Sequence, residues 1–131
     1  MQVQVEHGHS FAIVRPVGSF YGGGETVELE HKLGALIDDG LPVVVVDLSR
    51  TRDLNSNAIG VLIGGQRRAM ARGTLLRLCG ADQGLLNVLT ILKLVNVLPV
   101  FDRVETALAS VPARPGGLQL VTAVGVAQRE S

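Results

Sequence analysis

The stretch Val43–Leu62 reads VVVVDLSRTRDLNSNAIGVL, and its reading decides the fold. Four consecutive valines, Val43–Val46, show no polar alternation. An uninterrupted β-branched run predicts a strand buried on both faces, the kind found inside a parallel sheet. The run ends at Asp47-Leu48-Ser49, and the polar stretch Arg50–Asp53 follows. A helix is predicted over Ser56–Ala71, with Ile59, Leu62, Ile63 and Met70 on its apolar face and Gly73 as its stop. A buried strand followed by an amphipathic helix is one unit of an α/β fold.

The same alternation extends in both directions. Upstream, Val3 and Val5 alternate with Gln2, Gln4 and Glu6, predicting an exposed edge strand over 2–6. His7–Ser10 reads as a turn and Phe11–Val17 as the second arm of a hairpin. Pro16 lacks a backbone N–H and points to a sheet edge or a bulge. Gly18–Gly24 reads as a flexible loop, and a helix is predicted over Thr26–Asp38, where Leu29, Leu33, Leu36 and Ile37 form one stripe. Gly40 is suited to stop it.

Downstream, Leu75–Cys79 predicts a second buried strand, and Asp82 caps a helix with Leu85, Val88, Leu89 and Leu92 facing inward. Val100-Phe101 is a short strand, and Arg103–Ser110 a last helix with Val104, Ala107 and Leu108 facing in. Buried strands alternating with helices give an α/β class with a mostly parallel sheet of four to five strands, an N-terminal hairpin and right-handed crossovers. The domain is expected to occupy residues 1–110. Residues 111–131 form a tail broken by Pro112, Pro115, Gly116 and Gly117 before the apolar Leu118–Ala127. An extra strand, a contact arm in a homodimer and disorder all remain open for it.

Composition narrows the function classes. Twelve Lys and Arg balance twelve Asp and Glu, and aromatic residues make up 3%. Nucleic-acid binders usually carry a basic excess and stacking aromatics, so no nucleic-acid partner is expected. Arg67, Arg68 and Arg72 are the one local basic group and read as a solvated helix face. No run of about 18 apolar residues is present, so no membrane insertion is expected. The alternating N-terminus fits neither a signal nor a transit peptide. A single cysteine rules out an intramolecular disulfide, and the expected compartment is the cytoplasm. Cys79 itself lies in an apolar run and reads as a small core side chain.

Catalytic and cofactor signals are weak. Gly22-Gly23-Gly24 precedes a helix but follows a hairpin arm, so it reads as a connector ahead of a phosphate cradle. No Walker A pattern or Gly-x-Ser-x-Gly elbow occurs. His7, His9 and His31 read as surface residues, because two histidines in a turn hold a metal weakly without a third ligand. No cofactor, no metal and no enzymatic activity are expected.

Two segments carry a family resemblance. Asp47-Leu48-Ser49 followed by Asn55-Ser56-Asn57-Ala58-Ile59-Gly60-Val61-Leu62 resembles the STAS domain of bacterial anti-sigma factor antagonists. In that family the strand ends Asp-Leu-Ser, and Asp-Ser-Ser-Gly-Leu-Gly-Val-Leu follows at the same spacing. Leu94–Leu108, LVNVLPVFDRVETAL, is similar to the family's closing segment, and the spacing agrees from about residue 2 to 110.

The resemblance implies partner switching in the control of transcription. The unmodified domain binds an anti-sigma factor that is also a Ser kinase, the kinase phosphorylates a Ser at the helix start, and a phosphatase reverses this. It implies a docking rim of Asp53, Asn55, Ser56, Asn57, Ala58 and Gly60. Aligned in register, the usual phosphoacceptor is Asn57, which cannot take a phosphate, and Ser56 is the remaining candidate. From the residues alone, Ser56 can be a helix N-cap only, or both a cap and a phosphoacceptor. The replacement at Asn57 also motivates a second reading, a non-phosphorylated STAS scaffold in a larger regulatory or transporter-associated complex.

Overall fold

A computed structural model describes residues 2–20 and 24–109. Its elements run β1 (Gln2–His7), β2 (Phe11–Phe20), α1 (Gly24–Asp38), β3 (Val43–Asp47), β4 (Thr51–Leu54), α2 (Ser56–Arg72), β5 (Leu75–Cys79), α3 (Gln83–Ile91), a 3₁₀ turn at Leu94–Asn96, β6 (Val100–Phe101) and α4 (Val104–Ala109). The apolar tail expected over 118–127 and the Gly22-Gly23 pair lie outside the described residues.

The main sheet has the order β1-β2-β3-β5-β6. β1 pairs antiparallel with β2, and all the other pairs are parallel. The valine run therefore sits at the centre, flanked by β2 and β5, with every residue from Val43 to Asp47 buried. Its alternate side chains feed two separate clusters. Val44 and Val46 join Leu29, Leu33, Leu62 and Leu76 under α1 and α2. Val43 and Val45 join Ile13, Cys79 and Ala107 under α4. Full burial of such a Val or Leu contributes roughly 1.5–3 kcal/mol, which explains why no polar residue interrupts this run.

Pro16 is not at the sheet edge. It opposes Val3 of β1, and on its other side the ladder changes partner. Phe11–Val14 of β2 pair with β3, whereas Gly18–Phe20 pair with β4, with a register shift at Gly18/Ser19. Pro16 falls in the interval between those partners, where a missing N–H costs nothing, and its carbonyl accepts the Thr51 hydroxyl at 2.8 Å.

β4 is a strand where a polar stretch was expected. Met70, expected on the apolar face of α2, is 70% exposed, and Val88 and Leu92 of the third helical segment are also exposed. α3 buries only Leu85 and Leu89. Its expected cap holds: the Leu85 N–H donates to the Asp82 carboxylate at 2.8 Å. Gly73 ends α2 in the left-handed region at φ 77°, as a glycine stop should.

The basic group on α2 is solvent-exposed, as expected, and two of its members pair with α1. Arg68 forms a two-pronged pair with Asp38 at the end of α1, and Arg72 lies 3.5 Å from the same carboxylate. These contacts tie the C-terminal ends of the two helices together. The hydrogen bonds from Arg68 hold the Asp38 carboxyl below its ordinary range.

Candidate functional site

The site is assembled at the carboxyl end of β3, where the chain leaves the core. The Asp47 carboxylate accepts the Ser49 N–H at 3.0 Å, and the Leu48 N–H donates to the Cys79 carbonyl at 2.7 Å. Gly80 follows at φ 74°, and a Cβ there would stand 2.7 Å from Asp47 Oδ1. Only glycine suits that conformation and that approach. The Thr51 N–H then donates to the Leu48 carbonyl at 3.0 Å and the Gly18 N–H to the Arg50 carbonyl at 3.0 Å, which starts the β2–β4 ladder. The strand end is thereby locked before the helix begins.

Along β4, Thr51 is buried while Arg52 and Asp53 face solvent. The Ser19 hydroxyl donates to Asp53 at 3.2 Å, so the end of β2 joins this rim. Ser19 fell in a segment read as loop, and nothing local in the sequence marks it. Its place depends on the register shift between β2 and β4.

Asn55, not Ser56, is the helix N-cap. Its backbone is extended at φ −87°, ψ −179°, and its side-chain oxygen accepts the Ala58 N–H at 3.0 Å. Its carbonyl accepts the Ile59 N–H at 3.0 Å. Ser56 is consequently the first helical residue. It is exposed, and its hydroxyl bonds to none of the described residues. Both sequence readings of Ser56 make it the cap, and the structure corrects them: Asn55 takes that role and leaves Ser56 outside it. An exposed hydroxyl without a partner among the described residues stands at a helix N-terminus, where the dipole favours an added anion by about 0.3–1 kcal/mol.

The remaining residues of the expected rim divide by burial. Asn57 and Gly60 are exposed beside Ser56. A Cβ at Gly60 would meet no atom within 4 Å, and the same holds at Gly64 one turn further on. Both line a shallow cleft between α1 and α2, with Glu30, Leu33 and Gly34 on its other side. Ala58 is fully buried in the larger core cluster, backbone included, so it is not part of the accessible rim. The solvent-facing set is thus Asp53, Ser56, Asn57 and Gly60, with Asn55 half-buried behind them.

The other chemistry-bearing residues do not converge on this rim. His7, His9 and His31 are exposed at separate places on β1, its turn and α1. Among the described residues, no group of three His, Cys, Asp or Glu side chains could hold a metal ion. Cys79 is a free, fully buried thiol. Burial, reinforced by the Asp47 charge, pushes its pKa up to about 12. Among the described residues, no helix is long and apolar enough to cross a membrane.

Comparison with known proteins agrees with this architecture. The family model described as the STAS domain matches residues 2–107. The fold is similar to an anti-sigma factor antagonist from Mycobacterium paratuberculosis, with a TM-score of 0.74 and 21% identity over 84% of this chain and 92% of that one. It is also similar to the Bacillus cell fate determinant SpoIIAA in its phosphorylated form, with a TM-score of 0.65 and 16% identity over 82% and 96% of the two chains. A sulfate transporter family protein from Wolinella succinogenes has a TM-score of 0.64 and 23% identity over 76% and 83%. Among curated proteins, none matches in sequence.

Proposed function

Because the chain belongs to the STAS domain family, its model spanning residues 2–107, we propose that it is an anti-sigma factor antagonist acting by partner switching. The partner is an anti-sigma factor that is also a Ser kinase. It docks on the rim formed by Asp53, Asn55, Ser56, Asn57 and Gly60, and Ser56 is the residue it phosphorylates. Protein binding, not catalysis, is the activity, and a phosphatase would restore the free hydroxyl.

The observation that carries this reading is the capping geometry. Asn55 satisfies the Ala58 N–H, leaving the exposed Ser56 hydroxyl uncommitted at the first helical position. Phosphorylation would add roughly −1.5 to −2 charges at neutral pH. Free N–H groups of the first helical turn lie close to receive the phosphate, so the helix start tolerates the modification while the docking surface changes sign and shape. A switch needs that combination: the fold stays, and the partner is rejected. SpoIIAA, which shares this fold, has been solved in both an unphosphorylated and a phosphorylated form, and that precedent supports the reading.

A second reading is a scaffold that is not phosphorylated, part of a larger regulatory or transporter-associated complex. Asn57 at the usual acceptor position favours it, as does the similarity to a sulfate transporter family protein. Titration calorimetry against anti-sigma kinases separates the two. Partner switching calls for binding by the natural chain and at least about tenfold weaker binding by Ser56→Glu, a difference of about 1.4 kcal/mol. Equal affinity of both forms would leave the scaffold reading standing and remove the switch.

A further inference from the structure

The two faces of the sheet are covered unequally. One carries α1 and α2, of 15 and 17 residues. Among the described residues, the other carries only the six-residue α4, whose Ala107 is buried against Ile13, Val43, Val45 and Cys79. Beside α4, toward the β1 edge, lies an open cleft of about 460 Å³. Phe11, Ile13 and Arg15 of β2 line it from the sheet, and Val104 and Leu108 from the helix. Phe11, Val104 and Leu108 are each only partly buried there. Four carboxylates (Glu6, Asp47, Asp102 and Glu105) against two guanidiniums (Arg15 and Arg103) leave its lining net acidic. The Arg15 guanidinium already bridges Glu6 at 2.7 Å and Asp47 at 3.0 Å.

We propose that this cleft is filled in cis by Leu118–Ala127 of the same chain. α4 delivers the chain to the right place: Leu108 is in the cleft wall and Ala109 ends the helix. Residues 110–117 include Pro112, Pro115, Gly116 and Gly117. Eight such residues reach up to about 26–29 Å, enough to turn the chain back along the face. The segment that follows, LQLVTAVGVA, carries no charge and is mostly apolar with small side chains. It is long enough to lie along Phe11–Arg15, a strand length of about 13 Å, whether extended or coiled. Arg114 and Arg129 bracket it with only Glu130 opposing them, complementing the acidic lining. The cleft reaches Asp47, Ser49 and Gly80 at the carboxyl end of β3, but none of the rim residues from Asp53 to Gly60 lines it.

The test places a nitroxide on Thr122→Cys in the otherwise natural full chain. Cys79, buried with a strongly raised pKa, does not compete for the label. Amide signals of 11–15 and 104–108 should lose intensity relative to the reduced label, and those of 56–66 should keep theirs. The loss should persist on dilution and disappear when Val121→Asp and Val124→Asp are added. A uniform pattern, or none, overturns the proposal. A loss that fades on dilution also overturns it, because a second copy would then be the occupant. Hydrogen exchange on the unlabelled chain gives a second readout: Val121→Asp with Val124→Asp should speed exchange in α4, and unchanged rates contradict the docking.

Discussion

Replacing Asn55 by Ala tests the capping geometry on which the freedom of Ser56 depends. The Asn55 side chain accepts the Ala58 N–H, and Ala58 is fully buried. Loss of an N-cap of this type costs about 1 kcal/mol, within a range of roughly 0.5–2. Water can reach the Ala58 N–H poorly, which puts this position in the upper half of that range. We therefore expect Asn55→Ala to lose about 1–2 kcal/mol. For a domain of this length that is a fall of about 4–8 °C in Tm. Urea and thermal unfolding followed by circular dichroism suffice to measure it, and the urea slope should not change. Asn55→Asp keeps an acceptor and adds a charge at the positive end of α2, so it should stay within about 0.5 kcal/mol of the natural chain. Ser56→Ala should do the same. If Ser56→Ala instead costs more than Asn55→Ala, the hydroxyl is the cap and the reasoning fails.

Gly60→Ala and Gly64→Ala should each stabilise α2 by about 0.5–1 kcal/mol, because both sites are open and helical. Gly60→Ala should also weaken partner binding; a gain in Tm with unchanged affinity would remove Gly60 from the docking face. Arg15→Ala leaves the buried Asp47 carboxylate with the Ser49 N–H as its remaining donor within the turn, and should cost about 1–3 kcal/mol in urea unfolding, discounted for the partly exposed guanidinium. The Cys79 thiol keeps its proton to about pH 12 in the fold, while the unfolded chain loses it near 9. Stability should therefore fall as pH rises from about 9, and Cys79→Ala should remove that part of the slope. Asp38 behaves oppositely: its carboxyl is depressed by Arg68, so its contribution is present above about pH 4 and is lost as pH falls further. The Tm difference between the natural chain and Arg68→Ala should accordingly shrink in acid.

The parts of the fold legible in the sequence are those where burial is symmetrical or capping chemistry is unambiguous. Val43–Val46 is read correctly because both of its faces are dry, so no polar residue intervenes. Asp82 and Gly73 announce the helix ends they cap. β4 is not legible in the sequence, because Arg52 and Asp53 face solvent and its four residues follow no period; the register with the far end of β2 makes it a strand. Val88, Leu92 and Met70 fit a helical stripe on paper, yet the core reaches only Leu85 and Leu89 on α3, and Met70 points away from α1 and β5. At the site, the predicted helix start at Ser56 is the observed one, but the capping residue is not legible. Asn55, Ser56 and Asn57 are all competent caps, and only backbone geometry selects among them. Burial of Ala58 was hidden for the same reason: which side of the helix meets the core follows from packing, not from the motif.

The most direct measurement is to map phosphate by mass spectrometry after the full chain is incubated with an anti-sigma Ser kinase that binds it and with ATP. One phosphate on Ser56, absent from Ser56→Ala and accompanied by release of the kinase, is the expected result. Phosphate on another residue, or a tightly bound kinase that leaves Ser56 unmodified, would contradict the proposed switch.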